Sequence, residues 1–250
     1  MMFKQHFKSN ELLKKKTPEE LGLRLISSQR IELSKELVIE SGNEEICLVI
    51  INGEVQFKCE DMEGVANFKD MIYIPRKKRA KLFSRNSVIM YYSAPSDIDS
   101  IFSYIDFKDI DKNPISHVIT GDKTNNSKRH VWKFIDSDFN CSRLMMGICE
   151  GSPGGWTAWP PHEHAEKREE VYVYFNMKEA FGIQCVYDDL DDPYKVAIVR
   201  DGDLVSIPRG YHPNVGCPSC RISYIYCMAS KISGDRNFSD MTIQKIFHNS

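Results

Sequence analysis

Gly155-Trp-Thr-Ala-Trp-Pro-Pro-His162-Glu-His164, followed by Ala-Glu-Lys-Arg-Glu169-Glu170 and Val171-Tyr-Val-Tyr-Phe175, is the stretch from which the rest of the chain can be read. Residues i and i+2 of a strand project to one face. His162 and His164 therefore aim both imidazoles at one interior. The run after them is β-branched and aromatic, so it reads as a strand. Its alternation sets Glu170, Tyr172 and Tyr174 on one face and Glu169, Val171 and Val173 on the other. Far downstream, Pro208-Arg-Gly210-Tyr-His212 forms a tight turn that can return a third imidazole to the first two. His162, His164, Glu170 and His212 make a mixed nitrogen and oxygen ligand set. Such a set suits a divalent first-row metal with positions left open for water or substrate.

Working outward, short strand-like runs recur between turn-formers on both sides of this stretch. In the first half they include Ile46–Ile51, Val55–Phe57, Met71–Ile74 and Val88–Tyr92, with Asn52-Gly53 as a hairpin signal. In the second half they include Arg143–Cys149, Phe181–Tyr187, Leu204–Ile207 and Arg221–Met228. Many short strands at close spacing predict an all-β sandwich or barrel. The two halves also look alike. Glu44-Glu45-Ile-Cys-Leu-Val-Ile matches Glu169-Glu170-Val-Tyr-Val-Tyr-Phe, and Met71-Ile-Tyr-Ile-Pro75-Arg matches Leu204-Val-Ser-Ile-Pro208-Arg. Pro75 to Tyr91 and Pro208 to Tyr224 are both 16 residues. Two copies of one small β-barrel are expected. Residues 1–20 form an N-terminal segment, predicted to be loosely held with a helix start at Thr17. Residues 21–118 form the first barrel, 97–128 being mostly connection, and 119–250 form the second. The first copy has no histidine between Leu21 and Ser116, and Arg79 stands where the second has His212. Only the second can hold the metal.

Composition bounds the remaining possibilities. The chain has 250 residues, 42% hydrophobic and 27% charged, with a net charge of -2, so nothing in its electrostatics calls for nucleic acid. No apolar run is long enough to span a membrane. The N-terminus lacks the apolar core of a signal peptide, and a cytoplasmic protein is expected. The eight cysteines are then free thiols. Cys217-Pro-Ser-Cys220 has no second C-x-x-C to complete a zinc site and reads as a structural turn.

The paired motifs Gly155-x6-His162-x-His164…Glu170 and Gly202-x5-Pro208-x-Gly210-x-His212 resemble those of the cupin superfamily. Trp159-Pro-Pro-His-Glu-His, Glu-Glu-Val-Tyr-Val-Tyr, Ile183-Gln-x-Val-Tyr-Asp-Asp and Arg200-Asp-Gly-Asp…Pro-Arg-Gly-Tyr-His-Pro213 are similar to the 5-deoxy-glucuronate isomerase family of myo-inositol catabolism. The 5-keto-4-deoxyuronate isomerases of pectin breakdown are similar more weakly. The resemblance covers about Leu21 to Ser230. It implies a bicupin of two tandem double-stranded β-helix (jelly-roll) barrels, one of them bearing a metal: zinc, manganese, iron or nickel. It further implies an aldose–ketose isomerase acting on a small sugar acid, 5-deoxy-glucuronate going to 5-dehydro-2-deoxy-gluconate. Homo-oligomerisation is compatible with it. That reaction moves a proton between adjacent carbons through an enediol, with a pocket carboxylate, a tyrosinate or metal-bound hydroxide as base. Tyr172, Gln184 and Tyr224 are the candidates to orient substrate hydroxyls, and Arg209 is the candidate to hold the carboxylate. The ligand set also suits a non-haem iron dioxygenase, and a non-catalytic sugar-binding cupin is a third possibility.

Overall fold

Strand Glu44–Asn52 shows why the architecture takes its shape. Every residue from Glu45 to Ile50 is buried, so both faces of the strand are covered. Strands Val55–Cys59 and Arg79–Phe83 instead alternate buried and exposed, the pattern of a sheet with one face in water. The computed structural model, which describes residues 4–164 and 167–247, is accordingly all-β and layered. In the first half, a five-stranded sheet (Ser103–Ile105, Met71–Ile74, Glu44–Asn52, Ser87–Pro95, Ser27–Leu33) packs on a four-stranded one. Ile46, Leu48, Ile50, Phe57 and Leu82 fill the space between them. In the second half, a seven-stranded sheet runs His6–Phe7, Leu204–Ile207, Arg168–Tyr174, Ser223–Ser230, Leu144–Gly151, Arg129–Ile135, His117–Thr120. Its partner sheet is Trp156–Thr157, Asn214–Gly216, Gly182–Val186, Lys195–Val199. The two large sheets also face each other. Cys47, Val49 and Tyr92 of one pack with Val171, Val173 and Cys227 of the other in a shared core.

Two buried carboxylates tie the halves together. Glu45 accepts the backbone N–H groups of Ser142, Arg143 and Leu144 at 2.7, 2.6 and 2.8 Å, and the Tyr73 hydroxyl at 3.1 Å. Glu169 accepts those of Arg24, Leu25 and Ile26, each at 2.8 Å. Each glutamate thus fixes the segment that opens a strand of the other half. Hydrogen bonds to a charged acceptor in a dry interface are among the stronger ones. Glu45→Gln leaves one acceptor oxygen and turns an NH2 toward backbone donors. It should destabilise the protein by about 2–4 kcal/mol in denaturant melts without changing bound metal.

The structure corrects several expectations. Asn52-Gly53 does not close a hairpin, because Glu44–Asn52 and Val55–Cys59 lie in different sheets. The glycine turns the chain from one layer to the other, against the Asn86 carbonyl, where a Cβ would lie only 2.4 Å from its oxygen. The halves correspond in a different register from the one their sequences suggest. Ile74 pairs with Ile46 as Ile207 pairs with Glu170, so Glu45 corresponds to Glu169 and Ile46 to Glu170. Likewise Ser93 pairs with Ile46 as Met228 pairs with Glu170. Pro75 to Ser93 is 18 residues and Pro208 to Met228 is 20, so the equal 16-residue spacing was coincidental.

The N-terminal segment is not loosely held. His6–Phe7 adds a strand to the second half's sheet, and Phe7 and Leu12 are buried. Thr17 and Glu20 cap each other, but only turns follow, not a helix. The connection at 97–128 holds strand Ser103–Ile105, helix Phe107–Lys112 and strand His117–Thr120. Among the described residues all eight cysteines are free, and Cys217–Cys220 is a turn closed by Cys220 N–H to the Cys217 carbonyl at 3.0 Å. No helix of the described residues is long and apolar enough to cross a membrane.

Candidate metal centre

Inside the second half the filling changes character. Where the first half has Ile46 and Leu48, the second has Glu170 and Tyr172. Tyr174, Tyr224 and Tyr226 are buried alongside them. The result is a cavity of about 440 Å³ that opens beside Glu170, with His162, His164, Tyr172, Tyr224 and Tyr226 in its wall. Its rim is completed by the C-terminal tail. Strand Thr242–Ile243 pairs with His162–Glu163, and Phe238, Met241 and Ile243 reach the cavity. Residues 165 and 166, between the second histidine and the glutamates, lie outside the described residues.

His162, His164 and His212 each present a ligand atom, all within 4.8 Å of one another. Gly210 allows the turn that brings His212 back. It has φ 90°, and a Cβ there would meet the Tyr187 carbonyl oxygen at 2.8 Å. Gln184 Nε2 then donates to the His212 carbonyl at 2.7 Å and pins the backbone. The Nδ1 atoms of His162 and His212 lie 2.9 Å from the carbonyls of Pro160 and Gly210. A carbonyl can only accept, so Nδ1 carries the proton and Nε2 offers its lone pair. Glu170 Oε2 lies 3.2 Å from His212 Nε2 and 3.4 Å from His164 Nε2. Neither Glu170 Oε2 nor His212 Nε2 has a hydrogen-bond partner, and both are buried. Two lone-pair donors face each other at close range in a dry site, a repulsive arrangement unless a cation sits among them. The residues present therefore fit a divalent metal.

The protonation states agree with that fit. Burial pushes His162 down to about 3, helped by the neighbouring His212 and His164 imidazoles. Burial alone would raise Glu170, but positive charge facing it on the His164 and His212 side outweighs burial and holds the carboxyl at about 2, the part a bound cation takes over. At neutral pH the set is a carboxylate with a neutral His162. Both shifts have one sign for stability. The unfolded chain binds the extra proton between pH 6.5 and 3 at His162 and between 4.5 and 2 at Glu170. Stability present above pH 6.5 is lost as pH falls through that window. The metal-free protein should lose melting temperature progressively below pH 6.5, and bound metal should leave over the same range as protons take the lone pairs. Calorimetry with and without metal checks this, and a His162→Gln variant should show a shallower slope.

The other candidates divide. Tyr172 and Tyr224 line the cavity with ring centroids 4.3 Å apart. Gln184 does not line it. Its side chain is fully buried behind His212, accepting from Asn214 Nδ2 at 3.0 Å and donating to backbone carbonyls, with nothing left for a substrate. Arg209 also lies elsewhere. Its side chain is 59% exposed on the outer turn, bonded to the Tyr194 hydroxyl at 2.7 Å and 3.5 Å from Asp188. The cations that do line the cavity are Arg129 and Lys133, spaced i and i+4 on one strand face with Val131 between them. Their alternation with His130 and Trp132 is the signal that could have found them.

The profile of the KduI/IolB family matches residues 1–246. A 5-deoxy-glucuronate isomerase of Geobacillus kaustophilus is 24% identical over 237 residues, 86% of this chain and 83% of that protein. A 4-deoxy-L-threo-5-hexosulose-uronate ketol-isomerase of Shigella boydii is 26% identical over 177 residues, 69% of this chain and 60% of that protein. The crystal structure of an IolB-like protein from Salmonella typhimurium superposes with a TM-score of 0.82 at 19% identity, covering 98% of each chain, a likeness of fold. With the profile running through both halves, the chain belongs to the KduI/IolB family.

Proposed function

We propose that the protein is a metal-dependent aldose–ketose isomerase of sugar acids, converting 5-deoxy-glucuronate to 5-dehydro-2-deoxy-gluconate. The observation that carries this reading is the cluster of three imidazoles and one carboxylate, poised for a cation, at the wall of the cavity. Relatives named as isomerases of two different uronates support the reaction class, and they favour it over an oxygenase. The fold is read as a bicupin, with barrels at 21–118 and 119–250 and the N-terminal segment joined to the second. The apolar filling of the first half supports a metal-free, structural role for it. The metal is one of zinc, manganese, iron or nickel, and the protein is read as cytoplasmic.

His162, His164, Glu170 and His212 would hold the ion. When bound, it would polarise a carbonyl and the adjacent hydroxyl, acidify the C–H to be broken and stabilise the developing oxyanion. The chain's own residues do the rest. Burial raises the Tyr172, Tyr224 and Tyr226 phenols well above their ordinary range, so they stay protonated and donate to substrate hydroxyls. That direction disfavours a tyrosinate as the base. Tyr226 has a buried hydroxyl with no partner, a donor waiting for a ligand oxygen. The aromatic and apolar rim from the tail keeps water from the reacting carbons.

The reading is tested by incubating metal-loaded protein with 5-deoxy-glucuronate and following the carbonyl by NMR, with an oxygen electrode in parallel. Aldehyde loss matched by ketone formation without oxygen uptake is expected. Oxygen uptake by iron-loaded protein without isomerisation would favour the dioxygenase instead.

A further inference from the structure

We propose that Arg129 recognises the carboxylate of the substrate and is what makes the site specific for sugar acids. This inference rests on the isomerase reading of the same cavity. Two cations line that cavity, and they are not equivalent. Lys133 is already paired, its ammonium 2.6 Å from the Asp136 carboxylate. Among the described residues Arg129 has no carboxylate within ion-pair distance, and Glu170 is the only acidic one in the cavity wall.

Arg129 is held ready. Nη1 donates to the Ser127 carbonyl at 3.0 Å and Nη2 donates to the Trp159 carbonyl. These bonds use two of its five N–H groups and fix the guanidinium plane, leaving the others for a ligand. A half-buried guanidinium with carbonyls as its only partners is short of negative charge. A planar carboxylate supplies it in the bidentate geometry that arginine favours. The bond to Trp159 also ties Arg129 to the loop that leads into His162, so one residue links the acid end of a substrate to the metal-ligating segment.

Because Arg129 braces that loop, its removal could act structurally. A charged ligand and a neutral analogue of the same shape separate the two roles. Binding of D-glucuronate and of D-glucuronamide to the metal-loaded protein would be measured by calorimetry for the wild type, Arg129→Gln, Arg129→Lys and Lys133→Gln. The wild type should prefer glucuronate. Arg129→Gln should weaken glucuronate roughly 100-fold and leave glucuronamide and metal content near wild type. Arg129→Lys should recover part of the preference, and Lys133→Gln should change it by only a few-fold. Equal weakening of both ligands, an unchanged preference in Arg129→Gln, or no preference in the wild type would overturn the assignment. Turnover of 5-deoxy-glucuronate distinguishes the failure of one reading from that of the other. A wild type that prefers glucuronate through Arg129 but isomerises nothing would refute only the isomerase. A wild type that isomerises, with Arg129→Gln keeping its KM, would refute only the anchor.

Discussion

His212→Ala should yield a folded protein that binds no divalent metal and isomerises its sugar acid at least about 1000-fold more slowly than the wild type. The imidazole is one of three at the site, and its Nε2 lies 3.2 Å from Glu170 Oε2, nearer than that of His164 at 3.4 Å. Its loss removes a lone pair that no neighbour can replace. The fold should survive, because the turn is held by the backbone. Tyr211 and Tyr187 bond each other reciprocally at 2.8 and 3.0 Å, and Gln184 holds the carbonyl of residue 212 whatever its side chain. His162→Ala and His164→Ala should behave alike. His117→Ala, outside the site, should retain both metal and activity. Elemental analysis, circular dichroism and turnover on the same samples check all four. An active, metal-free His212→Ala protein would remove the basis for the site.

The second large effect separates two adjacent carboxylates. Glu170→Gln should weaken metal binding severely, since it replaces the one anionic ligand with a neutral amide. Glu169→Gln should leave metal affinity nearly unchanged and instead cost about 2–4 kcal/mol of stability. Its carboxylate spans three N–H groups, at Arg24, Leu25 and Ile26, on the face opposite the cavity. Metal titration together with urea melts of both variants decides between them. Stronger metal loss in Glu169→Gln would place the wrong glutamate in the site.

That pair also shows what could be read from sequence. The alternation of Val171 and Val173 against Tyr172 and Tyr174 assigns Glu170 to the interior, because a two-residue period leaves one choice per strand. The same stretch misled the comparison of halves. Two glutamates matched two glutamates, yet the structure sets Glu45 beside Glu169, and the position of Glu170 is Ile46. Only the register of neighbouring strands reveals this, and register depends on pairings far apart in the chain. Gln184 and Arg209 were plausible by residue type, but one is saturated by backbone behind His212 and the other sits on the outer turn. Arg129 and Lys133 were hidden because their strand is covered on both faces, with cations toward the cavity and aromatics toward the shared core. The tail's part in the rim depends on Thr242 and Ile243 pairing with His162–Glu163, a long-range contact that no local pattern reveals. The N-terminal lysines suggested a loose segment, but Phe7 and Leu12, spaced too irregularly to give a period, anchor it.

The dependence of isomerisation on the four-residue site is tested most directly by returning metal to chelator-stripped protein while ketone formation from 5-deoxy-glucuronate is followed. Activity should be absent at the start, rise in proportion to bound ion, and level off at one ion per chain. Full turnover by the stripped protein, or a rise that continues to a second ion, would contradict a single catalytic metal held by His162, His164, Glu170 and His212.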